Sequence, residues 1–242
     1  MAGRELGFWR RAAVGLVLPI MTLWTKRTWT GMEHLPPAGG FIVTPNHMSQ
    51  FDPLLVAHFI YGAGRWPRFL GKASLWKVPV LGPFLRKVQQ IPVERGSVEA
   101  VKSLDALIEA INEGGVVVIY PEGTTTRHPD LWPMRGKTGA ARLALLTGAP
   151  VIPVASWGAH TIYDPRTSKL KIRPRTPVAV TSGPPIDLSR WQEAPPTRAV
   201  LEQMTDAIML EVQELVGHLR GEQPPAGLYD RPANRAAASG DA

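Results

Sequence analysis

The chain of 242 residues contains no cysteine. That excludes a disulfide scaffold, thiolate nucleophiles and cysteine-held zinc or iron–sulfur centres. A hydrophobic run long enough to cross a bilayer is also missing. The best candidate, Ala12 to Trp24, has 13 residues and is interrupted by Pro19 and Thr22, whereas a spanning helix needs about 20. A cleavable signal would end in small residues, and Leu23-Trp24-Thr25 supplies none. Nucleotide fingerprints fail as well. Gly136-Lys137-Thr138 would place the first glycine of a P-loop at Leu131, and Pro67 stands where Gly62-Ala63-Gly64 would need its third glycine. The histidines at 34, 58, 128, 160 and 218 form no His-Glu-x-x-His or His-x-x-x-His spacing, so neither a metal nor a cofactor is expected.

Acidic residues are scarce in one half only. Residues 1–95 carry 12 Lys and Arg against 4 Asp and Glu, while residues 96–242 carry 15 against 16. A one-sided positive field suits an anionic partner. Between positions 62 and 95 the cations Arg65, Arg68, Lys72, Lys77, Arg86 and Lys87 alternate with Trp66, Phe69, Trp76, Phe84 and other large apolar residues, a pattern that fits a membrane interface. No zinc-finger or RRM signature accompanies the charge, so nucleic acid is not an expected partner. Arg4, Arg10 and Arg11 precede the apolar run, Lys26 and Arg27 follow it, and Trp9, Trp24 and Trp29 are spread along it. An interfacial helical segment over residues 1–30 is therefore predicted. Peripheral or monotopic placement on an anionic membrane, at its cytoplasmic face, is the corresponding expectation.

Beyond that segment, helical and strand patterns alternate. Short apolar β-rich runs at 41–44, 88–93, 116–120, 151–156 and 178–181 read as strands. Helices are predicted over 51–61, with Asp52 as N-cap and Pro53 next, and over 98–112, 138–146 and 197–219. Alternation of this kind predicts an α/β domain over 31–221, with a central, mostly parallel sheet flanked by helices. From Glu222 the chain is rich in Pro, Ala and Gly, and a disordered tail over 222–242 is expected.

Two loops carry candidate chemistry. Asn46-His47-Met48-Ser49-Gln50-Phe51-Asp52 joins a strand end to a helix start, the region of an α/β sheet where active sites gather. The spacing lets Asp52 reach one nitrogen of the His47 ring and fix its tautomer, which leaves the other nitrogen as a general base. With no Gly-x-Ser-x-Gly elbow and no cysteine, the nucleophile must come from the substrate, as a hydroxyl does. Tyr120-Pro121-Glu122-Gly123-Thr124-Thr125-Thr126-Arg127 follows a strand directly. Its glycine, hydroxyls and backbone amides suit a phosphate or an oxyanion, and Glu122 could hold a cation or a hydroxyl. Arg95, after a short strand, and Lys137, near a helix start, are further anion-binding candidates.

Taken together and in order, these blocks resemble the glycerolipid acyltransferase family, in particular its bacterial 1-acylglycerol-3-phosphate (lysophosphatidate) acyltransferases. Asn46, His47, Ser49 and Asp52 match the family's Asn-His-x-Ser-x-x-Asp block. Ile91 to Arg95 match its strand ending in a basic residue, Pro121 to Thr124 its Pro-Glu-Gly-Thr, and Val151 to Val154 its apolar-Ile-Pro-Val strand. The resemblance covers about residues 30–185. One position departs from it: Thr125 stands where the family usually has Arg, and Arg127 is the candidate to replace it.

The resemblance implies an acyltransferase that moves a fatty acyl group from acyl-CoA or acyl carrier protein to a lysophospholipid acceptor. His47 would be the general base and Asp52 its orienting partner. Asn46, Ser49, Arg95, Glu122, Gly123, Thr124, Arg127 and Lys137 would serve substrate binding. Amides near Gly123 and Thr124 would face the oxyanion, and residues 75–85 would meet the acyl chain or bilayer. A glycolipid acceptor, or a non-catalytic anionic-lipid binding protein, are the alternatives left open by the sequence.

Overall fold

A computed structural model of the chain describes residues 7–93 and 97–230, with residues 97–103 described by their backbone alone. Arg95 and the stretch 231–242 lie outside the described residues. In chain order the elements are α1 (Phe8–Trp24), β1 (Thr25–Thr30), β2 (Phe41–Pro45), α2 (Asp52–Gly62), β3 (Pro67–Lys72), α3 (Leu81–Lys87), β4 (Ile91–Val93), α4 (Ser97–Asn112), β5 (Val116–Val118), α5 (Gly139–Thr147), β6 (Val151–Trp157), α6 (Ala159–Ile162), β7 (Thr176–Ser182) and α7 (Arg198–Arg220). The strands form one sheet in the order β1-β7-β6-β2-β5-β3-β4. β6, β2, β5, β3 and β4 run parallel, β7 lies antiparallel to β6, and β1 runs with β7.

The central strands are apolar at consecutive positions because both their faces are covered. Along β2, Phe41 and Val43 enter one core and Ile42 the other; Val116 and Val118 of β5 oppose Val117 in the same way. The first core is closed by Leu55, Val56, Phe59 and Ile60 of α2 and by Met21 of α1. The second is closed by Leu107 and Ile111 of α4, Leu143 of α5, and Leu201, Met204 and Ile208 of α7. Burying each such side chain contributes about 1.5–3 kcal/mol. The two layers hold β2 and β5 rigidly, and the loops that follow both strands emerge at the same end of the sheet.

Two expectations are corrected, and one strand was not foreseen. The helical segment predicted over 1–30 ends at Trp24, and Thr25–Thr30 form an edge strand of the sheet. Its alternation, with Thr25, Arg27 and Trp29 facing inward, is short, and Lys26 and Arg27 read as helix flanks although an edge strand tolerates charge. β3 was hidden among cations in the same way. The second correction concerns the described part of the tail, where Glu222–Asp230 are docked rather than disordered. Gln213 Nε2 donates to Pro225 O at 2.7 Å, Arg135 N to Tyr229 O at 2.9 Å, and Tyr229 meets the His128 ring at 4.9 Å. A few backbone bonds and one aromatic contact hold this segment without an apolar run.

Most of α1 faces outward. Phe8 is 74% exposed, Leu16, Ile20 and Leu23 are exposed too, and Met21 is its only buried residue. No helix among the described residues is long and apolar enough to cross a membrane.

Where β1 meets α2, Trp29 packs edge-on against His58 at 5.5 Å and Phe59 at 5.9 Å. Arg27 Nη1 lies 3.0 Å from His58 Nε2. Arginine only donates, so Nε2 accepts and the neutral ring carries its proton on Nδ1, which is buried without a partner. Burial, with the Arg27 charge second, lowers the His58 pKa from 6.5 to about 4. Burial lowers His128 and His160 as well. The unfolded chain therefore takes up protons first as pH falls, and stability declines between about 6.5 and about 4. In thermal unfolding across that window, His58→Gln is expected to flatten the decline in Tm; an unchanged slope would remove His58 from this account.

Candidate active site

β2 ends at Pro45, and the chain turns through residues 46–51 before α2 begins. His47 and Asp52 meet across this turn, with Nδ1 3.0 Å from Oδ2. The same Oδ2 accepts the backbone N–H groups of Met48 at 2.7 Å and Ser49 at 2.8 Å, while Oδ1 accepts from Ser156 Oγ at 3.3 Å. Asp52 is fully buried, and these donors are what stabilise its charge away from water. Asp52 lies inside the first turn of α2 and makes no N-terminal cap; Phe51 holds that position. Its carboxylate turns back onto the loop, which is why it meets the imidazole. With Nδ1 committed to Asp52, Nε2 is the nitrogen left for a substrate. The His47 side chain is 17% exposed.

Asn46 and Ser49, expected to bind substrate, are both buried. Asn46 Oδ1 accepts from Ser156 N at 2.8 Å, and its Nδ2 donates to Ser156 O at 3.2 Å. Ser49 Oγ donates to Tyr163 O at 2.7 Å and accepts from Phe51 N at 3.2 Å. Their polar atoms are used to fasten the turn to β6 and to the chain after α6.

Glu122 is buried as well. Its Oε1 accepts the N–H of His47 at 2.7 Å and its Oε2 that of Met134 at 3.1 Å. Thr126 N donates to His47 O at 2.6 Å. The loop after β5 thus grips the histidine by its own backbone. Gly123 has φ of +65°, and the Lys137 side chain lies across it: a Cβ there would come within 3.1 Å of Lys137 Cε. Gly123 N–H donates to Tyr120 O at 3.0 Å, so of the two amides expected at an oxyanion it is already spent. Thr124 is half-buried, and Arg127 and Lys137 are exposed.

Sequence reading missed two contributors. Ser156 carries no motif, and it meets both Asn46 and Asp52 only because β6 lies beside β2. Tyr120 tilts against the His47 ring with centroids 4.4 Å apart, and its hydroxyl is buried without a partner. Burial, reinforced by the nearby Asp52 charge, pushes that phenol well above its ordinary pKa, so it is neutral.

His47 and Tyr120 border an apolar cavity of about 460 Å³. Val14 and Val17 of α1, Leu54 and Ala57 of α2, Phe69 of β3 and Phe84 of α3 line it. A polar His–Asp pair at one edge and a hydrocarbon wall beyond it suit a reaction at the head of a long apolar chain.

The grip of Glu122 is testable without substrate. Glu122→Gln leaves one acceptor for two buried N–H donors, which is expected to cost about 1–3 kcal/mol. Urea unfolding should show this as a lower midpoint at unchanged m-value; an unchanged midpoint would mean the loop holds without the carboxylate.

The acyltransferase family model matches residues 26–157, which contain the His47–Asp52 turn, the loop after β5 and Ser156. Among curated relatives, a 1-acyl-sn-glycerol-3-phosphate acyltransferase of Bacillus subtilis is 27% identical over 190 residues, covering 77% of this chain and 86% of that protein. One of Borreliella burgdorferi is 30% identical over 135 residues, and the match spans about half of that protein, 52%. The crystal structure of the 1-acyl-sn-glycerophosphate acyltransferase PlsC from Thermotoga maritima superposes with a TM-score of 0.63 at 25% identity, covering 92% of this chain and 85% of that one. With the parallel strands β2 to β6, the His–Asp turn and the Pro-Glu-Gly-Thr loop inside the matched region, the chain belongs to the acyltransferase family.

Proposed function

We infer that the protein is a membrane-associated 1-acylglycerol-3-phosphate O-acyltransferase, which moves a fatty acyl group from acyl-CoA or acyl carrier protein to the free hydroxyl of lysophosphatidate and yields phosphatidate. The observation that carries this reading is the buried His47–Asp52 pair at the edge of the apolar cavity. His47 Nε2 takes the proton of the acceptor hydroxyl as its oxygen attacks the thioester carbonyl. Asp52 holds the tautomer and stabilises the imidazolium. The tetrahedral intermediate collapses, the C–S bond breaks, and the thiol leaves with the proton from His47. The Thr124 amide is the candidate donor to the oxyanion. Asn46, Ser49 and Glu122 position the turn. Arg127 and Lys137, with Arg95 from the family's strand block, are the candidates to hold the acceptor phosphate. The acyl chain lies in the cavity.

Exposed apolar residues support membrane association. Those of α1 are joined by Leu75, Val78, Leu81 and Val80, which is 84% exposed. Val80 also holds φ of 67°, an outlier for a β-branched residue. This surface and the basic N-terminal half support peripheral association, and the cytoplasmic face is the side proposed for it.

The reading is tested with purified protein, acyl-CoA and lysophosphatidate. His47→Ala should lower kcat about 10²–10⁴-fold while circular dichroism stays unchanged; turnover that persisted would discard His47 as the base. Lys137→Gln should raise KM for lysophosphatidate about tenfold or more, the loss of one charge-assisted hydrogen bond. A neutral monoacylglycerol acceptor should be unaffected. Equal losses on both acceptors would favour a glycolipid or other neutral acceptor, for which Thr125 already leaves room.

A further inference from the structure

A second cavity, of about 250 Å³, opens at the other end of the sheet. Arg68 stands at the start of β3 and is paired in register with Val117, itself opposite Ile42 near the start of β2. Arg65 ties together the approaches to those strands, donating to Pro36 O, to Gly39 O at 2.6 Å and to Gly114 O at 2.7 Å. His47 lies beyond the far end of β2, a strand length from Arg68, although the two cavities share Tyr61 and Trp66 in their walls.

Three arginines from three elements line this cavity: Arg10 of α1, Arg65 of the α2–β3 loop, whose guanidinium also holds three backbone carbonyls, and Arg68 of β3. Glu113 is the one acid in its wall among the described residues, and it pairs with Arg68 at 2.8 Å. Arg10 donates to Gln89 Oε1 and lies 5.3 Å from the centre of the Trp66 ring. Gln89 is itself held at φ of +59° in the turn between α3 and β4. Among the described residues, Arg10 and Arg68 each use one of their five N–H donors in a side-chain hydrogen bond. Burial first and the Arg68 charge second hold Arg10 below its ordinary pKa. Like charges gathered at a partly buried site cost stability unless an anion neutralises them.

From this geometry we propose that the Arg10–Arg65–Arg68 cavity binds a phosphate group, most readily that of an anionic phospholipid headgroup. Planar guanidinium forks match phosphate oxygens in pairs. The volume admits a phosphate with several waters, each of which occupies about 30 Å³. Phe8 and Trp9, both exposed, precede Arg10 on the same helix, so lipid chains have apolar surface beside the mouth. The site shares no charged residue with the His47 turn, and inactivity of His47→Ala would leave it untouched.

The test compares two single charge removals on α1. Arg11 is exposed and Arg10 lines the cavity. Binding to phosphatidylcholine vesicles is measured with and without phosphatidylglycerol, and Tm is followed in rising inorganic phosphate at fixed ionic strength. Arg11→Gln should weaken binding to the anionic vesicles about fivefold, the loss of one non-specific charge. Arg10→Gln should weaken it about tenfold beyond that and abolish a saturable rise in Tm with phosphate that wild type and Arg11→Gln retain. A vesicle difference without a phosphate response assigns the site to the headgroup alone. A phosphate response without a vesicle difference assigns it to free phosphate. Equal losses in the two variants with no phosphate response overturn the proposal. Should Arg10→Gln fail to fold, the pair Arg68→Gln with Glu113→Gln, which leaves no unpaired carboxylate, must give the Arg10 result or the proposal falls.

Discussion

A buried carboxylate is expensive unless its surroundings donate to it from several directions. Asp52 is held by four donors: two backbone N–H groups of the turn, one serine hydroxyl from the neighbouring strand, and the imidazole itself. Only the last belongs to the group proposed as the base. The other three fix where the charge sits, and through it where His47 points. Remove the register between β2 and β6, and Ser156 no longer reaches Asn46 or Asp52. The two-sided core is what keeps that register, so the reactive geometry depends on packing well away from it.

The histidine is fixed twice, by its ring and by its backbone. Its ring answers to Asp52, while its N–H and C=O answer to Glu122 and Thr126 of a different loop. Neither loop would hold its shape alone, since each spends polar groups on the other. This explains why the Pro-Glu-Gly-Thr segment matters even where its side chains meet no ligand. Glu122 is a fastening group, and Gly123 is needed because a left-handed backbone lies under the Lys137 side chain.

Much of this was legible in the residues. The apolar runs of β2, β5 and β6 announce themselves as strands buried on both faces, and the periodicity of α4 and α7 is unambiguous. The His47–Asp52 spacing was enough to foresee their contact. The roles of Asn46, Ser49 and Glu122 were not legible, because a polar side chain in a motif looks the same whether it faces a ligand or a backbone amide. β1 and β3 were obscured by cations, which edge strands and strand ends tolerate. Ser156 and Tyr120 become neighbours of the pair only through strand order and the stacking of one ring on another, which no local spacing records.

α1 passes into β1 between Trp24 and Thr25 with no intervening residue. Thr25 Oγ1 donates to Met21 O at 2.5 Å, and the Trp24 ring rests edge-on against Phe51 in the turn itself, at 5.4 Å. The joint has no slack. Whatever surface the exposed side of the helix rests on, the sheet is carried at a fixed height and tilt above it, as on a bracket. The stand-off between that surface and His47 is thus a built-in length of the molecule, and it selects how far a reacting group must project from its support to be reached.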